Sequence, residues 1–285
     1  MNNATAPINA HRSGVALRDV DSNELCELSV VVPCHNEAAS IRNLQRALNQ
    51  LRSALEDQCR LELLLVDDGS TDDTAALLED HFGQQNGVTI LRHASNRGIA
   101  AAIATGLRHA KTEVVASLDA DCTYDPLELV HMVPLLADDV DLVVASPYHP
   151  AGAVEGCTAW RLVLSKAASR LYRMVLRNKL HTYTSCVRIY RRSSVVDVTL
   201  QNDGFVGVTE LVWQLDRRGA KIVEHPAVLR VRTTGQSKMR VARTTWAHLR
   251  LLARAGCLRL LRVCPDRLRK TSMAASPVFI HLDIL

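Results

Sequence analysis

Aromatic residues are scarce: three Phe, five Tyr and three Trp make up 4% of the 285 residues, so any core must be mainly aliphatic. No run approaches the ~20 charge-free apolar residues that a membrane-spanning helix needs. The opening MNNATAPINAHR carries no apolar segment and does not read as a signal peptide. These two absences predict a protein that stays in the cytoplasm. The eight cysteines (Cys26, Cys34, Cys59, Cys122, Cys157, Cys186, Cys257 and Cys264) include no Cys-x-x-Cys pair. That argues against zinc and redox motifs and predicts reduced, mostly buried thiols. Acid is missing too from the whole stretch between Arg161 and Arg192, which holds nine Lys or Arg, and Arg240 to Lys270 holds nine against the single Asp266. With a net charge of only +4, such segregation predicts an anionic partner or, equally, solvated helix faces.

What is present is periodic. Residues 1–27 are polar and aperiodic and predict a disordered tail. Leu28–Val32, Leu61–Val66, Val88–Leu91, Glu113–Leu118 and Val140–Ala145 are short apolar runs of buried-strand length. Helical patterns separate them, the clearest being Ile41, Leu44, Leu48, Leu51 and Leu55. Strands alternating with helices predict a parallel sheet with right-handed crossovers. After Pro150 the pattern changes. Trp160 to Arg177 predicts a helix with Leu164, Ala168, Leu171 and Val175 facing inward and Lys166, Arg170, Arg173 and Arg177 outward. Thr182 to Tyr190 predicts a strand, and Val208 to Leu215 a helix stopped by Gly219. Lys221 to Glu224 predicts extended structure and 241–263 an Arg-rich helix. The stretch 271–285 has no readable pattern.

One stretch concentrates chemistry. EVVASLDADCTYDP, Glu113 to Pro126, reads as a buried strand ending on Asp119 and Asp121. Ligands of open α/β sheets bind beyond the carboxyl ends of the strands. Two carboxylates there can hold a hard divalent cation together with substrate phosphates. An isolated Asp-x-Asp is more often a polar turn, so the weight falls on its neighbours.

Those neighbours line up in order: VVVPCHNE ends the first strand, VDDGSTDDT the second, NRGIAAAIATGL follows the third and SLDADCTYDP the fourth. Together they resemble the GT-A fold of family 2 glycosyltransferases, a Rossmann-like α/β nucleotide-diphospho-sugar transferase with a mostly parallel central sheet flanked by helices. TSCVRIYRR, GFVGVTELVWQLDRRGAKIVEHP and RTTGQSKM look like the acceptor half of its dolichol- or polyprenyl-phosphate mannose synthase branch. The resemblance covers about residues 28–240. It implies a nucleotide-binding half over 28–150 and an acceptor half over 151–240, leaving 241–270 as a basic helix. Cys34-His35 stands where Thr-Tyr or Ala-Tyr is commoner, and Cys186-Val187 where Gly and an aromatic are common.

The resemblance also implies roles. Pro33, Asn36, Glu37, Asp68, Asn96, Gly98, Asp119, Ala120 and Asp121 would surround the donor nucleotide, with Asp119 and Asp121 on Mg²⁺ or Mn²⁺. Arg188, Arg232 and Lys238 would face donor and acceptor phosphates beside the catalytic Asp121, with Ser237 in the same loop as the last two. From the residues alone, Glu37 could favour a helix N-terminus, Asp68 a turn, and Asn96 a helix cap.

The expected activity is that of an inverting hexosyltransferase, mannose from GDP-mannose to a polyprenyl phosphate. A lipid phosphate is already largely ionised at neutral pH, its second pKa being about 6, so no base is assigned. For a sugar-hydroxyl acceptor, Asp203 or Glu210 would be the first suspects. A UDP-sugar donor is the alternative, and a nucleic-acid-binding or signalling α/β protein a remote one; no nucleic acid is expected. Peripheral contact with the inner face of a membrane is expected, through Arg243, Arg250, Arg254, Arg259 and Arg262 interleaved with Trp246, Leu249, Leu252, Leu258 and Leu261. Integral-membrane partner proteins are compatible with the same picture.

Overall fold

The structure is a computed structural model and describes residues 25–156, 159–230 and 241–260. Residues 1–24 of the tail expected over 1–27, residues 261–270 of the expected basic helix and the tail expected over 271–285 lie outside them, as do Arg232, Ser237, Lys238 and Arg262, whereas Cys26 and Glu27 of the expected first tail belong to a strand. In chain order the elements are β1 (Cys26–Cys34), α1 (Ile41–Leu55), β2 (Cys59–Asp67), α2 (Thr74–Phe82), β3 (Val88–Arg92), α3 (Ile99–His109) and β4 (Val114–Ser117). Then come α4 (Glu128–Met132), β5 (Leu142–Ser146), β6 (Ala153–Val154), α5 (Ala159–Val175), β7 (Arg188–Arg191), α6 (Arg192–Val195), α7 (Phe205–Arg218), β8 (Ile222–Pro226), β9 (Val228–Leu229) and α8 (Val241–Leu260).

Seven strands form one sheet in the order β3-β2-β1-β4-β7-β5-β8, and β6 and β9 form a small parallel pair. All sheet neighbours are parallel except β7, which runs antiparallel to both β4 and β5. Because β4 belongs to the expected nucleotide half and β7 to the acceptor half, one continuous sheet spans both. Both faces are covered, so the strands read as unbroken apolar runs. Val31 joins the cluster with Leu107 and Leu211, whereas Val30 and Val32 join that of Leu44 and Leu48. Helices α1, α2 and α4 cover the second face; α3, α5, α7 and α8 cover the first.

Helix α1 follows its sequence pattern, with Ile41, Leu44, Leu48, Leu51 and Leu55 all buried. Helix α7 ends where Gly219 adopts φ 79°, the left-handed geometry that stops a helix. Three expectations are corrected. The strand expected from Thr182 begins only at Arg188, because the amides of His181 and Thr182 bond the Glu224 carboxylate instead of a neighbouring strand. Cys26 and Cys59, expected as reduced thiols, are register partners on β1 and β2 and form a disulfide. Helix α5 is turned from its expected orientation. Ser169, Tyr172 and Leu176 face the core while Leu164 and Leu171 are exposed, since Tyr172 is anchored through its hydroxyl to His248 of α8 at 3.0 Å.

Helix α3 crosses β1 at Gly106, where a Cβ would stand 2.2 Å from Val31 Cγ1. Gly106→Ala therefore lowers stability by about 1–3 kcal/mol despite alanine's better helix propensity. Urea unfolding measures this, and an unchanged midpoint would show that the helix can lift off the sheet without cost.

A candidate active site at the sheet's switch point

The chain winds outward from β1 to β2 and β3, then returns to place β4 on the other side of β1. The crevice beyond the carboxyl ends of β1 and β4 is thus a topological switch point, where open α/β sheets bind ligands. A cleft of about 290 Å³ opens there. The loop after β1 supplies Pro33 and Glu37, and the loop after β4 supplies Asp119, Ala120, Asp121, Thr123 and Tyr124. Opposite them stand Ser165 of α5 and the loop residues Thr182, Thr184, Ser185 and Cys186. Ile99 and Phe205, at the N-termini of α3 and α7, close one end.

The cleft is acidic. Glu37, Asp119 and Asp121 line it, and no Lys or Arg does among the described residues. Asp121 Oδ1 accepts the Thr123 amide at 3.1 Å, and Cys122 between them adopts φ 52°. This turn places both carboxylates of the pair on the cleft. Thiols nearby stay neutral. Burial first, and then the carboxylates of Asp121, Asp119 and Asp125, push Cys122 up to about 12. Burial likewise lifts Cys34, with Glu37 and Asp67 adding to it, and Cys186, with Asp119 adding to it. A protonated thiol is a poor metal ligand, so the donors offered are carboxylate oxygens, suited to Mg²⁺ or Mn²⁺.

The structure gathers Pro33, Glu37, Asp119, Ala120 and Asp121 from the expected set, while Asn36, Asp68, Asn96, Gly98 and Arg188 are not among the lining residues. Asp68 is buried, accepting the amides of Arg97 at 2.9 Å and Gly98 at 2.7 Å and bonding His93 Nδ1 at 2.6 Å. It shapes the loop before α3 rather than lining the cleft. Asn36 ties the first two rim loops together, its Oδ1 accepting the Thr71 amide at 2.7 Å and its own amide bonding Ser70 Oγ at 2.9 Å. Asn96 is exposed and makes no side-chain cap; the cap position is Gly98. The amides of Ala100 and Ala101 at the start of α3 both donate to Asp203 O, at 2.8 and 3.1 Å, so they are not offered to an anion. Gly98 adopts φ 108°, and a Cβ there would lie 2.5 Å from that same carbonyl.

Arg188 is corrected most plainly. It is fully buried, donating to Val208 O at 2.7 Å and Tyr183 O at 2.9 Å. On β7 it shares the face of Tyr190, turned toward α3 and α7 rather than the cleft. It therefore braces the loop that carries Thr184 and Ser185 and does not face phosphate. Glu210 is no base either: it is fully buried, and its carboxylate accepts the amides of Gln201 and Asn202 and the Asn202 side chain. Arg232 and Lys238 lie outside the described residues.

Sequence reasoning missed Glu224, which holds His181 and Thr182 through amide bonds of 2.8–2.9 Å, and the hydroxyl wall those residues begin. The available signal was a lone carboxylate within the apolar run Ile222 to Glu224.

A clamp and a base respond differently to substitution. Glu210→Ala removes the one carboxylate that three N–H donors share. It should destabilise the fold by about 2–4 kcal/mol, since buried donors lose their partner, with any loss of turnover following that loss. Turnover abolished with an unchanged unfolding midpoint would restore Glu210 as a reacting group.

Comparison with known proteins agrees with this geometry. The family described as Glycosyl transferase family 2 matches residues 29–199. The chain is 31% identical over 218 residues to a polyprenol monophosphomannose synthase of Mycolicibacterium smegmatis, covering 74% of this chain and 80% of that one. It is 30% identical over 239 residues to a dodecaprenyl-phosphate galacturonate synthase of Rhizobium johnstonii, covering 82% and 68%. Among solved structures, it resembles glucosyl-3-phosphoglycerate synthase from Mycobacterium tuberculosis in complex with Mn²⁺, UDP-glucose and phosphoglyceric acid. The TM-score is 0.61 at 20% identity, over 81% of this chain and 80% of that one, a likeness of fold.

Proposed function

The chain belongs to glycosyl transferase family 2, and from that premise we propose that it transfers mannose from GDP-mannose to a polyprenyl phosphate at the inner face of a membrane. The observation that carries this reading is the acidic cleft at the switch point. A nucleotide diphosphate is repelled by Glu37, Asp119 and Asp121 unless cations intervene. Asp119 and Asp121 would hold a Mg²⁺ or Mn²⁺ ion, which when bound neutralises the charge growing on the departing diphosphate.

The remaining tasks fall to this chain's own residues. Pro33 and Glu37, at the end of β1, stand where the nucleoside would enter. Thr182, Thr184, Ser185 and Ser165 offer hydroxyls to the sugar or the acceptor phosphate. The basic residues Arg232 and Lys238 of RTTGQSKM supply the positive charge that the described lining lacks; arginine in particular pairs with phosphate through two parallel bonds. A phosphate oxygen of the acceptor forms the new bond to the anomeric carbon as the bond to the diphosphate breaks, giving inversion and GDP. The acceptor is already an anion, so the site needs no proton acceptor, in keeping with Glu210 being committed to a loop. Catalysis rests on positioning and charge.

The acceptor's prenyl tail stays in the bilayer, so the protein must work at a membrane surface. No helix among the described residues is long and apolar enough to cross one. The R. johnstonii relative is named for galacturonate, and a UDP-sugar donor is the second reading.

Asp121→Ala should lower turnover about 10²-fold or more, since several kcal/mol of charge stabilisation are lost, while the melting temperature changes little. Near-normal turnover in this variant, or activity indifferent to excess EDTA, overturns the assignment of the pair. For the donor, titration calorimetry with Mn²⁺ should show GDP-mannose binding more tightly than UDP-glucose; the reverse order promotes the second reading.

A further inference from the structure

Six of the nine large hydrophobic residues exposed among the described residues sit on two adjacent helices: Val163, Leu164, Leu171 and Met174 on α5, Trp246 and Leu249 on α8. The exposure is substantial at 65% for Val163, 66% for Met174, 64% for Trp246 and 46% for Leu249. Its pattern is regular. At about 100° per residue, Val163, Leu164, Ala167, Leu171 and Met174 fall within a ~100° arc opposite the buried Ser169, Tyr172 and Leu176. On α8, Trp246, Leu249, Ala253 and Cys257 fall within a ~80° arc opposite the buried Leu251 and Ala255. Each helix thus has two apolar faces, one spent on the core and one turned outward.

The two outward faces belong together. Tyr172 Oη meets His248 Nδ1 at 3.0 Å. Arg259 donates to the carbonyls of Met174, Val175 and Leu176 at the end of α5. Tyr172, Leu176, Leu251 and Ala255 all enter the same core cluster, so the opposite faces both turn away from that layer.

The rim carries one sign of charge. Lys166, Arg170 and Arg173 flank the apolar arc of α5, and Arg243 and Arg250 that of α8. Neither helix contains an Asp or Glu. The other arginines of α8 are engaged in packing: Arg254 stacks over Trp213 at 5.1 Å and bonds Gln201, and Arg259 caps α5.

We propose that the outer faces of α5 and α8 form one docking face for an anionic lipid bilayer, with the apolar arcs entering the headgroup–acyl boundary and the basic rim resting on lipid phosphates. Apolar side chains including Trp on one face, flanked by Lys and Arg with no acid, is the composition of a helix lying in a membrane interface. A protein partner with an apolar patch would match the arcs but give no reason for a rim of uniformly positive charge. The proposal rests on the lipid-acceptor reading and deepens it. Ser165, on the same helix as the exposed Leu164, lines the cleft, so α5 joins the docking face directly to the site.

The experiment uses the full chain and vesicles of mixed zwitterionic and anionic phospholipid, containing neither polyprenyl phosphate nor nucleotide. The wild type should sediment with them, less so without anionic lipid or at ~0.5 M salt. Bound to vesicles, it should show blue-shifted tryptophan emission. Val163→Asn with Met174→Asn, or Trp246→Ala with Leu249→Asn, should weaken binding at least about tenfold, because two apolar side chains lose an apolar phase. Their melting temperatures should hold, these residues being outside the core. Variants that sediment like the wild type overturn the proposal. So does a wild type that ignores lipid vesicles but binds protein-containing membranes, or a dimer in sedimentation equilibrium that the variants dissolve. Transfer to a water-soluble short-chain prenyl phosphate separates the two readings. Its preservation in the variants supports the docking face. Its absence in a wild type that still binds vesicles counts against the proposed reaction and leaves the docking face supported.

Discussion

The loops of this protein depend on buried carboxylates bonded to pairs of consecutive backbone amides. Asp68 takes Arg97 and Gly98, Glu210 takes Gln201 and Asn202, Glu224 takes His181 and Thr182, and Asp216 takes Arg177 and Asn178. The loops at the carboxyl end of a sheet have no ladder to satisfy their backbone groups, yet buried N–H groups must find partners. A carboxylate answers two at once, with bonds strengthened by its charge. Three of these clamps act around the cleft. Asp68 forms the turn before α3, Glu210 holds the loop whose Asp203 carbonyl caps α3, and Glu224 holds the hydroxyl wall. The fourth fixes the turn after α5, the helix that brings Ser165 to the same cleft.

These clamps explain why so much acid near the site is unavailable for chemistry. Asp68 and Glu210 have their lone pairs directed at amides, whereas Asp119, Asp121 and Glu37 line the open cleft. With the clamping carboxylates turned to amides and the others lining the cleft, a concentrated negative pocket remains, and a negative pocket suits a polyanionic donor only with cations between them. Neutral thiols at Cys34, Cys122 and Cys186 keep the donor set hard. The strand arginine, Arg188, adds no positive charge to this pocket: it braces a loop from behind.

Much of the sheet was legible because each strand is a contiguous apolar run and α1 has one strict apolar face. The pair Asp119 and Asp121 was legible because a strand end announces itself locally. The clamps were not, since Asp68 and Arg97 are 29 residues apart and Glu224 and His181 are 43 apart. Sequence shows an acid in each case but not the amides it meets. Arg188 misled for a related reason: its motif places it near the site, and only the register of β7 reveals which side of the sheet it faces. Cys26 and Cys59 became neighbours through the same kind of register, at the far end of β1 and β2.

Helix α5 misled differently, and its case shows how chemistry and location are joined. Hydropathy assigns Leu164 and Leu171 to the interior because a monomeric fold normally hides its longest apolar stripe. Here the stripe toward the core is Ser169, Tyr172 and Leu176, with the tyrosine hydroxyl satisfied by His248. An aromatic able to reach α8 wins that position, and the leucines are left outside. Such an arrangement would be a liability in water alone, where large exposed apolar patches invite association. It becomes an asset if a lipid surface supplies the missing apolar phase. If the acceptor is a prenyl phosphate, as proposed, its chain cannot follow its phosphate far into water, so the reacting phosphate would stay near the headgroup plane and the cleft would have to come to it. Among the described residues lining the cleft, Ser165 alone comes from a helix with an outward apolar arc. On the proposed reaction, the orientation of α5 would set how far a lipid phosphate must travel to meet Asp119 and Asp121, and its exposed leucines would be part of how the site reaches its acceptor.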